Sequence, residues 1–504
     1  MSTSTGPGDL ATEVRRIADE ALRVARGTGQ EAAVALVVRR LDEPLRVAIA
    51  GRVKAGKSTL LNALVGERLA ATDAGECTRV VTWYRHALGY RVVAELRPTG
   101  SQELSFKRQD GALDIDLGGL PLESIERIEV GWPSQKLVEL TLIDTPGLAS
   151  ATEGTSERTT RALIDDEVDG PGEADAVLYL MRHLHRSDVG FLEAFMDRSV
   201  AHASPINAIV VLSRADEIGA ARPDALDSAR AVAARYASDA RVRELASGVV
   251  PVAGLIAETG ATLREAQFDR LREIAVLPEE RREHLLRSVE RFRDADGNPL
   301  GEEIREELLA RLGMFGLRLA IGLLVDGTVR TATELSQALL ERSGIRDLQR
   351  VLAERYAARA QALKARSALA ALRVVGEALE RLDVAGAPDV IVAVDRLEAS
   401  SQELGLLRLL HLVLSGTVEL GPVDRAEVDR LCGPGRPSER LGLASGASAA
   451  DVREAALVGI DRWRSRAASP LSDRRMIEAA EIVSRAYEEI YMTAGWDAAG
   501  VSER

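Results

Sequence analysis

Aromatic residues make up only 3% of this 504-residue chain, so its core must be built mostly from Leu, Val, Ala and Ile. Cysteine is scarcer still. Cys77 and Cys432 are the two present, which excludes a disulfide framework or a zinc cluster and suits a reducing cytoplasm. An excess of basic residues is missing as well: the net charge is −13, the wrong sign for a dedicated nucleic-acid binder, and no nucleic-acid partner is expected. A local basic or apolar tip could still meet a membrane. The first residues, MSTSTGPGDL, show no basic segment followed by an apolar one, so no secretory signal is expected. Uninterrupted apolar runs of about 18 residues are absent, and no spanning helix is expected. The richest runs are Met314–Val325, broken by Arg318, and Leu404–Leu414, broken by Arg408. Both read as buried bundle helices. A hydrophobic share of 46% is enough for a large core, and the length suits two or three domains.

One stretch organises what is there: LRVAIAGRVKAGKSTLLN, residues 45–62. It reads as a buried strand, a glycine-rich turn and the start of a helix. Gly51 through Ser58 fit G-x-x-x-x-G-K-[ST] at every fixed position. Backbone N–H groups in such a turn curl around a phosphate, and the following helix offers its positive end. Gly51 and Gly56 permit the backbone angles. Lys57 places a charge on the β- and γ-phosphates, Ser58 offers a hydroxyl to Mg²⁺, and Thr59 follows in the same turn.

Around this stretch the pattern divides. Residues 1–9 are small and polar and are expected to be disordered. Leu10, Val14, Ile17, Ala21 and Leu22 recur at helical steps, and a second helical stretch spans Glu31–Leu41. From Leu45 to Val252 short apolar strands alternate with helical patterns, which predicts a mostly parallel α/β sheet. Beyond the turn signal Asp296-Gly297-Asn298-Pro299 only helices are read: Gly301–Val325, Ile345–Leu382, Leu404–Leu414, Ala449–Arg464 and Asp473–Trp496. The expected plan is an α/β P-loop domain over 43–298, inserted into an all-α bundle made from 10–42 and 299–504.

Further motifs narrow the nucleotide. Asp144-Thr145-Pro146-Gly147 follows the strand Leu140–Ile143. Asp144 there can hold the Mg²⁺ shell through water, and the Gly147 N–H can sense a γ-phosphate. Ser213-Arg214-Ala215-Asp216 ends the strand Ala208–Leu212, where GTPases carry [NT]-K-x-D. A carboxylate at Asp216 accepts from guanine N1 and N2. Adenine lacks those donors, so an ATPase is disfavoured. Ser213 and Arg214 depart from the usual types, but the Arg stem can lie along the base. Ala253 and Gly254 could offer backbone N–H groups to guanine O6. A Mg²⁺-binding threonine must lie between the P-loop and Asp144. Thr72, Thr78 and Thr82 are the candidates, and Thr78 is chosen because its loop runs straight into a strand.

Taken together, GRVKAGKSTLLNALVG, CTRVVTWYRH, DTPG, SRADEIGA, RLGMFGLRL and the segment from SGIRDLQRVL to ALKARSALAAL resemble the bacterial dynamin-like GTPases over most of the chain. The resemblance implies a GTPase domain on a helical bundle that couples GTP turnover to self-assembly and membrane remodelling. A second dynamin-like protein as partner is implied too. So are Lys57 and Ser58 as nucleotide and Mg²⁺ residues, Thr78 as switch threonine and Asp216 as base reader. Val53 and Lys54 stand where eukaryotic dynamins have Gln and Ser, and guanylate-binding proteins place a cis arginine finger at the position of Lys54. Leu148 removes a Ras-type glutamine. Lys54 is therefore expected to supply transition-state charge in place of a monovalent cation. The alternative is a solvated lysine on the loop.

The expected protein is cytoplasmic, with peripheral contact at the inner face of the membrane. It would bind GTP and Mg²⁺ and self-associate through the GTPase domain. The rival reading is a regulatory GTP switch that grips a protein partner without membrane activity. Tip candidates are the loops 383–389, 416–424 and 432–448.

Overall fold

Strand β1 (Leu45–Gly51) is buried at every residue and lies inside a nine-stranded sheet. The structure is a computed structural model, and it describes residues 10–70, 80–97, 100–109, 112–145, 174–182, 205–218, 222, 224–294, 297–433, 435–444 and 446–500. The other strands are β2 (Thr82–His86), β3 (Arg91–Leu96), β4 (Ser101–Glu103), β5 (Ser105–Gln109), β6 (Ala112–Asp116), β7 (Ile125–Trp132), β8 (Leu140–Asp144), β9 (Ala176–Met181), β10 (Ala208–Ser213) and β11 (Val249–Val252). The large sheet runs β11-β10-β9-β1-β8-β2-β7-β3-β4, and β5 and β6 form a separate hairpin. The block from β11 to β8 is wholly parallel. AVLYLM in β9 and AIVVLS in β10 are buried along their whole length, as strands covered on both faces require. The sheet turns antiparallel where β2 meets β8 and where β3 meets β7.

Besides the short helices Glu279–Leu285, Val289–Arg293 and Pro437–Arg440, the helices are α1 (Leu10–Ala25), α2 (Glu31–Asp42), α3 (Lys57–Val65), α4 (Ala225–Ser238), α5 (Ala240–Leu245), α6 (Gly254–Thr262), α7 (Glu265–Ala275), α8 (Glu302–Val325), α9 (Ala332–Arg342), α10 (Ile345–Arg355), α11 (Ala360–Arg381), α12 (Ala387–Ser400), α13 (Gln402–Leu414), α14 (Pro422–Leu431), α15 (Ala449–Ala467) and α16 (Arg474–Gly500). The expected α/β domain with an all-α remainder is thus the fold observed. Residues 1–9 lie outside the described residues.

Three details differ from the sequence reading. Residues 345–382 are not one helix. The chain breaks at Tyr356, whose fully buried ring reaches the sheet and whose hydroxyl donates to the Val177 carbonyl at 3.0 Å. The amphipathic repeat runs through Tyr356, but burial under the sheet wins over helical continuity. Second, α8 bends at Gly313 (φ 61°). Third, α8 is long and apolar enough to cross a bilayer by length and composition, against the expectation that no helix would be. Its Leu308, Leu312, Phe315 and Ile321 are buried, it packs on α6 and α7, and Arg318 donates to the Leu286 carbonyl at 2.9 Å. One face of the helix is thus seated inside the protein, with 44% of its most apolar window buried.

Two seams join sheet and helices. At the first, α1 and α2 pack on α11. There Arg40 pairs with Asp175 at 2.9 Å, both nearly inaccessible, and Asp175 also accepts the Arg46 N–H at 2.9 Å. Lys364 donates to the Leu41 and Glu43 carbonyls at 2.9 and 3.0 Å, closing the C-terminal end of α2. At the second, α8 and α9 lay Leu312, Phe315, Leu335 and Leu339 against Ile256, Phe268 and Leu271. One seam is ionic and the other is apolar.

Candidate functional site

Parallel strands deliver their C-terminal ends to one edge, and the chemistry gathers there. β1 ends in Gly51, whose φ is 147°; a Cβ there would sit 2.5 Å from the Leu180 carbonyl oxygen. No other residue fits that approach. Gly56 (φ 96°) caps α3 in the left-handed region. Lys57 then reaches back to the Gly51 and Arg52 carbonyls at 3.2 and 3.3 Å. Burial lowers its pKa, and Asp144 opposes the shift.

The Ser58 hydroxyl donates to Asp144 Oδ2 at 3.1 Å. The other oxygen, Oδ1, is buried with no hydrogen-bond partner. Burial raises the Asp144 pKa, and Lys57 and Ser58 pull it back. The unpartnered carboxylate oxygen and the Ser58 hydroxyl are oxygen ligands of the kind that Mg²⁺ takes, while the Lys57 ammonium is a counter-charge and not a metal ligand. Thr145 explains its place in the motif: its hydroxyl donates to the Ile49 carbonyl at 2.9 Å, tying the β8 end to β1.

Beside the P-loop and the first turn of α3 lies a cavity of about 120 Å³, lined among others by Thr59, Ser213, Arg214, Asp216, Gly254 and Leu255. Asp216 is buried, which raises its pKa, while backbone hydrogen bonding holds it down. Three non-glycine residues among those described have positive φ, and two of them are Lys54 (61°) and Arg214 (54°). They meet: Arg214 Nη2 donates to the Lys54 carbonyl at 3.0 Å, and Nη1 to Glu217 at 2.7 Å. The guanidinium thus bridges the P-loop and the base-side turn.

The structure therefore gathers Gly51, Gly56, Lys57, Ser58, Thr59, Asp144, Ser213, Arg214, Asp216 and Gly254 along one edge. The Lys54 side chain is exposed. Ala253 differs from expectation: its N–H donates to the Ser343 carbonyl at 2.8 Å, so it is not directed into the cavity. Thr82 is set aside, since it lies within β2 and its hydroxyl donates to the Val80 carbonyl at 3.3 Å. Thr72, Thr78, Cys77, Gly147 and Leu148 lie outside the described residues.

A buried polar residue that belongs to no motif stands beside the site. Asn62, fully buried on α3, accepts the Leu69 and Ala70 N–H groups at 2.8 and 2.7 Å. It donates to the Ala70 carbonyl at 3.0 Å and to Glu258 at 3.2 Å. Arg68 also donates to Glu258, at 3.2 Å. These bonds fix the chain entering 71–79 to α3 and α6. The signal was a polar residue inside the apolar run LLNALV.

A family model described as the Dynamin family matches residues 47–213. The chain is 40% identical over 453 residues to the isoniazid-induced protein IniC of Mycobacterium tuberculosis, covering 89% of this chain and 90% of that protein, in strain CDC 1551 / Oshkosh and strain H37Rv alike. The chain belongs to the bacterial dynamin-like family. Its P-loop sheet is a dynamin-type GTPase domain. Among solved structures, one of an oligomerised bacterial dynamin pair, reported as a mechanism for the long-range sensing and tethering of membranes, aligns over 97% of this dynamin-like chain and 88% of that one, at 14% identity and a TM-score of 0.34. The apo cytosolic domain of the T. maritima iron transporter FeoB aligns over 60% of this chain and 99% of its own, at 15% identity and a TM-score of 0.21.

Proposed function

We propose that this dynamin-like protein binds and hydrolyses GTP with Mg²⁺ and couples turnover to self-assembly and to membrane binding or remodelling. The observation that carries the nucleotide part is the single edge on which Lys57, Ser58 and the unpartnered Asp144 Oδ1 adjoin a cavity holding Asp216. Phosphates lie in the turn Gly51–Ser58, with Lys57 against their charge. Asp216 accepts from the guanine edge. Ser58, Asp144 and Thr78 hold Mg²⁺, which when bound neutralises phosphate charge. Gly147 senses the γ-phosphate, and Lys54 at the open rim supplies transition-state charge.

The working division is a GTPase domain over 43–298 with the bundle formed by 10–42 and 299–504. Nucleotide-driven pairing across the P-loop face swings the bundle about the links near Leu41–Pro44 and Gly297–Gly301. At the first link that motion has to release the Arg40–Asp175 pair and the Lys364 bonds. The protein works in the cytoplasm, peripherally at the inner membrane face, with a second dynamin-like protein as partner.

The test is GTP hydrolysis across protein concentration, with and without anionic liposomes, beside Lys57→Ala. A specific rate that climbs with concentration and again with liposomes supports assembly-coupled membrane action. A flat rate indifferent to lipid favours the regulatory switch acting on a protein partner.

A further inference from the structure

The turn between β11 and α6 faces the base cavity, yet its shape is not set by its own sequence. A corner far downstream, between α9 and α10, presses on it. The Ser343 carbonyl takes the Ala253 N–H at 2.8 Å. Gly344 (φ 82°) comes so close that a Cβ on it would stand 2.2 Å from the Pro251 carbonyl oxygen. The corner is itself braced: the Ser343 hydroxyl donates to the Leu340 carbonyl at 2.8 Å and accepts the Ile345 N–H at 3.2 Å. With the Ala253 N–H engaged, Gly254 and Leu255 bring the first turn of α6 to the cavity wall, where backbone N–H groups have no partner within the helix.

We infer that the Ser343–Gly344 corner is a positioning element for guanine specificity: it selects which backbone N–H groups of the β11–α6 turn meet the base carbonyl O6. This rests on the cavity being the guanine pocket. Asp216 reads N1 and N2, and the corner governs the O6 side. Coupling through one shared turn is reciprocal, so a bound guanine also tightens the seat of α9 and α10 on the sheet. The nucleotide base, not only its phosphates, then reports to the helical region.

The test pairs a variant with a measurement on the unaltered chain. Gly344→Ala forces the Pro251–Ala253 backbone outward. Its affinity for GDP is expected to fall about tenfold, the scale of one lost hydrogen bond to a buried acceptor. Its affinity for 6-thioguanosine diphosphate, which keeps the N1 and N2 donors but carries a weakly accepting sulfur in place of O6, is expected to stay within about twofold of the unaltered chain. Equal losses for both ligands, or none for GDP, would overturn the inference. If Gly344→Ala does not fold, hydrogen exchange on the unaltered protein decides. Added GDP should slow exchange in segments 249–256 and 340–347 together, and protection confined to 249–256 would sink the idea. An unaltered chain that binds no guanine nucleotide at all fails the functional reading itself, and the corner's role with it.

Discussion

The two halves of the site are built in different ways. The half proposed to take the phosphates is local, and the half proposed to take the base is not. Gly51, Gly56, Lys57 and Ser58 lie within one turn, and among the described residues Asp144 joins them from the adjacent parallel strand. The base half is assembled. Ser213, Arg214 and Asp216 come from the end of β10, Gly254 and Leu255 from the start of α6, and the posture of that start depends on Ser343 and Gly344. A feature of chain-local geometry persists wherever the segment folds. A feature assembled from three segments can be tuned from any of them.

The sharpest way to break this contrast is Lys57→Ala. Removing the half-buried ammonium should weaken GTP and ATP alike by about a hundredfold or more, read by fluorescent nucleotide titration. Selective loss of GTP alone would mean that the phosphate half is not independent of the base. Next, Asp216→Asn should cost GTP about ten- to a hundredfold and leave ATP unchanged. Xanthosine triphosphate should gain, because the new amide N–H meets the carbonyl that xanthine carries where guanine has an amino group. Competition among the three nucleotides measures it.

Acidification touches both halves. Burial raises the pKa of Asp144 and of Asp216, and the proposed role of each is that of a carboxylate toward its ligand. Affinity is therefore full above the raised pKa and falls as pH drops through it. Mg²⁺-dependent GTP binding should weaken at a pH above the ordinary carboxylate range, as titrations between pH 7.5 and 5 would show. ATP, which does not use Asp216, should weaken less steeply. The smallest effect expected is that of Arg214→Ala. Losing the bond to the Lys54 carbonyl should cost about 1 kcal/mol, or about fivefold in GTP affinity, measured by calorimetry. Arg214→Lys should recover part of it, since an ammonium can reach one carbonyl but cannot bridge to Glu217 as well.

Legibility in the sequence follows the same divide. Gly51 through Ser58 could be read because glycine spacing, cation and hydroxyl encode geometry within a single turn. Asp144 could be read because it ends an apolar strand, and Asp216 because it stands in the turn just behind one. The engagement of Ala253 could not be read, because its partner is a backbone carbonyl, which leaves no side-chain signature. The break at Tyr356 was hidden for the opposite reason: the side-chain pattern of an amphipathic helix continues unbroken through it. The bend at Gly313 leaves its trace in the Arg311 carbonyl, which accepts the Thr259 hydroxyl at 2.6 Å, a tertiary bond with no counterpart in local sequence. The Arg40–Asp175 pair joins residues whose closeness depends on the whole sheet being in place.

That the earliest helices pack on α11 carries a consequence for how the protein is made. Leu10, Val14, Ile17 and Ala21 form the buried face of α1, and the surface that covers them is not translated until α11 and α12 have emerged. At about 5–20 residues per second the ribosome takes roughly 20 seconds to a minute to travel from α2 to the end of α11. For that interval the apolar stripe waits while the whole nucleotide domain is synthesised beside it. A segment made this long before α11 finds its permanent neighbours late, and a nascent chain stalled before α11 presents a ready handle to chaperones.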